Sequence, residues 1–221
     1  MPTTTKKKKT KQVDYSKKII DAFKDYFLLN GESPPSVYAF SKSIKITEDR
    51  FYDHFGSFRS VKQAIWEDYI SQTLDALQKD SGYKEFSVKE KLLSFYYTLL
   101  EVLRSDRSFV MLCFNHIKKN ELTPDFLKKF KSRFDAYANE LINEGVESNE
   151  VQDRPVIGKR YKEALWLQLM FLINFWIKDD SSKFEQTDAA VEKAVSLSFD
   201  LMGPGPLDTM IDFAKFLYHY R

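Results

Sequence analysis

Between Lys45 and Arg59 the chain spaces groups suited to a polyanion at helical intervals: Lys45, Thr47, Arg50, Tyr52, His54 and Arg59, with Glu48 and Asp49 among them. A hydroxyl at Thr47, a phenol at Tyr52 and an imidazole at His54 can all donate to phosphate oxygens, while an arginine such as Arg50 can grip the edge of guanine. Glu48 and Asp49 admit two roles. As acids in the first turn of a helix they complement its dipole, or one carboxylate accepts from a cytosine amino group.

Catalytic chemistry finds less support. Cys113 and His116 stand three apart on one helix face, a spacing that can pair a thiolate with its base. No oxyanion-hole glycine motif or phosphate loop accompanies them, and a lone cysteine on an apolar helix is usually inert packing. His54, His116 and His219 are scattered, with no His-x-x-x-His or Cys-x-x-Cys spacing, so neither a metal site nor a cofactor is expected. No carboxylate pair stands out as an acid/base couple. The expectation is a protein that is not an enzyme.

The residues between 36 and 59 need short helices to present them. Pro34-Pro35 breaks the chain, Ser36 caps a helix that turns Phe40 inward, and Thr47 caps another that carries Phe51 and Phe55. Ahead of them, Tyr15 to Asn30 places Ile19, Ile20, Phe23 and Phe27 on one stripe, closed by Gly31. Together these form a helix-turn-helix, whose second member fits the DNA major groove. A fourth helix starts near Phe58 and carries Val61, Ala64, Ile65 and Tyr69 toward Leu77.

Beyond it, apolar residues recur every three or four positions over about 88–104, 108–119, 124–144, 158–178, 187–202 and 207–220. Gly82, Pro124, Gly145 and the Gly203-Pro204-Gly205-Pro206 stretch are read as breaks. The fold class is all-α, with about nine or ten helices in two parts. These are a helix-turn-helix domain over 15–60 and a larger helical effector-binding and dimerisation domain over 61–221. Residues 1–14 read as a basic disordered arm carrying Lys6, Lys7, Lys8 and Lys9, either solvated or in contact with DNA. Net charge is +2, yet residues 1–70 hold 13 Lys plus Arg against 9 Asp plus Glu, leaving 21 against 23 for the rest.

With 221 residues, 43% of them apolar, the chain can bury a full core without metal or disulfide staples. One cysteine and no apolar signal-peptide core after Met1 lead to the expectation of a cytoplasmic protein. The run from Ala164 to Ile177 is too short and too interrupted by Gln168 and Asn174 for a membrane span. Being apolar nearly all round, it must meet both its own domain and a further surface.

Residues 17–69 resemble the TetR family of bacterial transcriptional regulators, through the glycine-capped first helix, the two-helix reader and Phe51-Tyr52-Asp53-His54-Phe55-Gly56-Ser57-Phe58-Arg59. The resemblance implies a homodimer on double-stranded DNA, paired through about residues 158–202, with a small apolar effector in the C-terminal part. It places Tyr52, His54 and Thr47 at phosphate contacts. Lys45 replaces the family's turn glycine, with an ammonium that can reach DNA. Phe58 replaces a phosphate-binding lysine, for which Arg59 can substitute. Tyr97, Phe109, Cys113, His116, Trp166 and Met170 are the expected pocket residues. The alternative function is a module of the same fold that binds lipid or protein, with reduced or no DNA reading.

Overall fold

The structure is a computed structural model that describes residues 14–117, 121–155 and 157–220. It is all-α: α1 (Tyr15–Asn30), α2 (Val37–Ser43), α3 (Glu48–Tyr52), α4 (Phe58–Lys79), α5 (Val88–Arg104), α6 (Arg107–Asn115), α7 (Lys128–Glu147), α8 (Tyr161–Lys178), α9 (Glu185–Met202) and α10 (Pro206–His219). The chain divides into two compact units, Met1–Val61 and Lys62–Arg221.

In the first unit the helix ends follow side-chain chemistry. Asp14, Ser36 and Thr47 each accept a backbone N–H at the start of α1, α2 and α3, and Gly31 closes α1 at φ 76°. Ser57 and Ser60 exchange hydrogen bonds at the head of α4, Ser57 Oγ accepting from Ser60 N at 3.3 Å and Ser60 Oγ from Ser57 N at 3.1 Å. The core is aromatic: Phe23, Phe40 and Phe51 surround Phe58 with ring centroids 5.7, 5.3 and 5.4 Å away.

In the second unit α5 packs on α7 and α9, and α8 on α7 and α9. Leu92, Phe95, Leu99, Phe134, Leu169, Ile173 and Val195 fill the space between them. A short helical turn over Asp125–Leu127 precedes α7, so the segment expected from Pro124 starts in two pieces. The sixth helix is shorter than its periodicity suggests, ending at Asn115.

Gly145 lies inside α7 instead of ending it. A Cβ there would stand 2.5 Å from Val151 Cγ2, so the glycine serves a close approach and not a stop. The loop that follows returns to α5. Glu150 accepts from Val88 N at 3.0 Å and Lys89 N at 3.3 Å, beside the capping box that Ser87 and Glu90 already form.

Polar clamps fix the remaining ends. Arg107 donates to the carbonyls of Trp176, Ile177 and Asp179 at the end of α8, satisfying groups the helix leaves open. Gln168 joins three helices, accepting from Tyr96 and donating to Ala194 O and Ser198 Oγ. Lys183 and Phe184 sit at φ 55° and 64°, a left-handed pair before α9.

Asp179 accepts from Ser181 N and Oγ and from Thr187 N and Oγ1, at 2.6 to 2.9 Å. Burial alone would raise its carboxyl, but these hydrogen bonds outweigh it and hold the group down at about 2, from an ordinary 3.8. A depressed folded value means stability that is present above 3.8 and lost as pH falls toward about 2. Chemical denaturation of wild type and Asp179→Asn is therefore expected to show a stability gap that narrows through that window. A gap constant with pH counts against the clamp.

Candidate nucleic-acid interface

α3 has only five residues and buries one of them, Phe51, leaving Glu48 half-buried and the other three exposed. The Thr47 hydroxyl accepts from Arg50 N at 3.2 Å, so it caps the helix. Tyr52 is 53% exposed, and Asp49, Arg50 and His54 are also exposed.

Arg50 is held on two sides. Nη1 lies 3.2 Å from Asp53 Oδ2, and the guanidinium sits over the Tyr15 ring, 4.9 Å from its centroid. The His54 ring lies 6.4 Å from the same tyrosine. An exposed ion pair of this kind contributes little, about 0–1 kcal/mol, and yields readily to a phosphate or a base edge. Tyr15 thus gathers Arg50 and His54 into one cluster beside Tyr52.

Lys45 adopts φ 56°, the left-handed conformation that the turn demands, and its side chain is exposed. A shallow cleft of about 380 Å³ runs between α2 and α3, lined by Tyr38, Ser41, Lys42, Ile46, Thr47, Glu48 and Asp49. Lys42 Nζ lies 5.8 Å above the Tyr38 ring. Arg59 is exposed on the first turn of α4, while Phe58 beside it is half-buried against the rings of Phe23, Phe40 and Phe51. Lys6, Lys7, Lys8 and Lys9 lie outside the described residues.

Tyr15, Tyr38, Lys42 and Asp53 escaped the sequence reading. Tyr38 and Lys42 stand four apart on α2, a spacing that could have flagged them. Nothing in the sequence brings Tyr15 to Arg50, because that contact crosses from α1 to α3.

The expected pocket residues differ in their surroundings. Phe109, Cys113 and Trp166 are buried core, with Trp166 Nε1 donating to Leu122 O at 3.1 Å. His116 is exposed, with Nδ1 against Leu112 O at 2.7 Å. Met170 is partly buried. Tyr97 is partly exposed and bonds weakly to Asp188 O and Glu192. Burial and those nearby acids push its phenol up to about 12.

A different cleft of about 340 Å³ opens among α4, α5 and α7, with Leu74, Leu77, Tyr83, Lys91, Tyr137 and Glu144 in its wall. Lys91 is 8% exposed and ion-paired with Glu144, and Tyr137 donates to Lys91 O at 3.1 Å. The Tyr83 and Tyr137 hydroxyls meet at 3.1 Å, and burial raises both phenols above their ordinary range. The cleft combines apolar walls with a paired cation, and suits a ligand carrying both characters. Among the described residues no group of three or more His, Cys, Asp or Glu side chains is placed to hold a metal. None of the described helices is long and apolar enough to cross a membrane.

Residues 91–217, more than half of the chain, match the family model for the tetracyclin repressor-like C-terminal domain. No curated protein sequence matches the chain. Solved structures similar to it include a protein from Syntrophomonas wolfei assigned to the TetR family of transcriptional regulators, with a TM-score of 0.65 and 16% identity over 85% of this chain and 94% of that one. One from Shewanella sp. PV-4, assigned likewise, gives 0.62 and 13% over 87% and 100%. The TetR transcriptional regulator of Nitrosomonas europaea gives 0.59 and 11% over 84% and 98%. At such identities these structures share the fold.

Phe58 is expected to act as a structural plug. Replacing it with Lys should cost about 3 kcal/mol in urea denaturation, whereas Phe58→Leu should cost under about 1.5 kcal/mol. Equal, small losses for both would count against Phe58 as a support of the aromatic cluster.

Proposed function

The chain belongs to the TetR family of transcriptional regulators, and from that membership we propose that it binds operator DNA as a homodimer, with α3 in the major groove and no catalytic role. The observation that supports this most is the cluster of Tyr15, Arg50 and His54 beside exposed Tyr52, on a helix whose one buried residue is Phe51. Tyr52, His54 and Thr47 contact phosphates, and Lys45, Lys42 and Arg59 add positive charge at the edges. Arg50 leaves Asp53 to meet a base, and Glu48 and Asp49 serve the helix dipole.

Dimerisation through the α8 and α9 region, within about residues 158–202, is supported by exposed Leu167 and Phe171 on α8 and Leu197 and Leu201 on α9. A small, largely apolar effector with one polar or charged group would enter the cleft of Lys91, Tyr83 and Tyr137. It alters DNA affinity only by binding one conformation of the dimer better than the other. Three carboxylates on or next to α3, Glu48, Asp49 and Asp53, favour the second reading, a lipid- or protein-binding module with weakened DNA contact.

Fluorescence anisotropy against selected near-palindromic duplexes tests this. Tyr52→Ala with His54→Ala is expected to weaken binding by about 30- to 100-fold, from loss of roughly 2–3 kcal/mol of phosphate contacts. Finding no sequence-preferring duplex sinks the proposal and leaves the second reading. Deleting residues 1–11, which carry five lysines, should make the slope of log affinity on log salt shallower by about 4 to 5 for each protomer's arm. An unchanged slope removes the arm from the interface.

A further inference from the structure

The C-terminal helix is pinned at one end and bare along the rest. Arg154 is 5% exposed and spends its guanidinium on this junction. It donates to both Asp208 oxygens at 2.7 and 2.8 Å, to Tyr161 Oη at 2.6 Å, and to the carbonyls of Leu201, Met202 and Gly203 at 2.9 to 3.1 Å. Asp208 in turn accepts from Gly205 N at 3.1 Å, capping α10. The helix therefore leaves the body at a fixed point. Beyond Asp208, every α10 residue whose side chain is described is exposed.

Those exposed residues are large and apolar. Met210, Phe213, Phe216, Leu217, Tyr218 and Tyr220 stand between 53% and 82% exposed, and the Phe216 and Tyr220 rings meet at 4.5 Å between centroids, tilted by 40°. The bare face is continuous with that of α9, since Phe199, Leu201, Pro204 and Met210 border one cleft of about 720 Å³ across the hinge.

Area favours a second copy as the occupant. Leu167, Phe171, Leu197 and Leu201 are only 47% to 57% exposed. At roughly 200 Å² per large side chain they offer roughly 400 Å² per protomer, or roughly 800 Å² for a pair, the size of a crystal-packing contact. The α10 residues add roughly 800 Å² per protomer, which brings the pair to roughly 2,400 Å², within the range of permanent homodimers. A membrane surface fits worse. Such helices need a basic polar face, and α10 carries Asp208 and Asp212 against Lys215 and His219.

We propose that α10 is a dimerisation arm, whose Phe213 and Phe216 face extends the α8 and α9 interface onto a second copy of this chain, with the Arg154–Asp208 clamp as the positioning element. This rests on the homodimer proposed above. Sedimentation equilibrium on the full chain tests it with two variants, Phe213→Glu/Phe216→Glu in α10 and Phe171→Glu in α8. Both alter exposed positions, and circular dichroism with thermal unfolding checks that each still folds.

The expected result is a wild-type dimer whose dissociation constant rises at least about 100-fold in the α10 variant, with its helical signal intact. If the α10 variant dimerises like wild type while Phe171→Glu gives a monomer, the arm is overturned and the α8–α9 dimer stands. Loss of the dimer in the α10 variant alone sustains α10 as a dimer contact and overturns its being an extension of the α8 and α9 interface. A wild-type monomer overturns the arm, as does wild-type pelleting with phosphatidylglycerol vesicles that the α10 variant abolishes without changing its self-association.

Discussion

Phe58 inside the ring of Phe23, Phe40 and Phe51 is the contact on which the first unit depends. A helix of five residues cannot persist alone in water, because nucleation costs more than so few hydrogen bonds return. α3 stays formed since Phe51 is buried against that cluster and Thr47 holds its first turn. Everything the segment could offer a polyanion follows from this arrangement, since the side chains of Arg50, Tyr52 and His54 take their directions from a backbone fixed by one phenylalanine. The residue that departs from the resembled family at position 58 thereby explains itself: a charge there would sit where the core needs a ring.

The second unit is ordered by different means. Its apolar contacts are many and interchangeable, and aromatic interiors of that sort admit several packings. The polar clamps restrict the choice. Arg107 accepts only one position for the end of α8, Gln168 one register among α5, α8 and α9, and Arg154 one exit for the chain after α9. Each also leaves no room for slippage, because moving the helix would strand a buried donor at a cost of about 1–3 kcal/mol.

Much of the fold was legible because helix ends are local. Gly31 after α1, Ser36 and Thr47 before α2 and α3, and the apolar stripe of Ile19, Phe23 and Phe27 all act within one or two turns of sequence, whereas Asp14, read as part of the basic arm, caps α1. Gly145 misled, since a glycine that ends a helix and one that admits Val151 look alike until the loop is in place. The exposed segment from Lys45 to His54 was legible for the same local reason as the caps. Its partner Tyr15 was not, and neither was the cleft around Lys91. Periodicity tells which residues face inward, but whether an inward residue meets a neighbour or a void is decided by helices distant in sequence. Phe109, Cys113 and Trp166, expected to line a pocket, are buried.

The carboxylate of Glu150 joins the loop after α7 to the first amides of α5, more than sixty positions earlier. Surface loops usually drift in length between relatives because nothing else registers the change. Here an inserted or deleted residue between Gly145 and Glu150 would carry the acid away from Val88 and Lys89, leaving two amides to seek water at the mouth of a packed bundle. The length of this connection is therefore heritable information about α5, and relatives that vary it should show compensating change at the start of that helix.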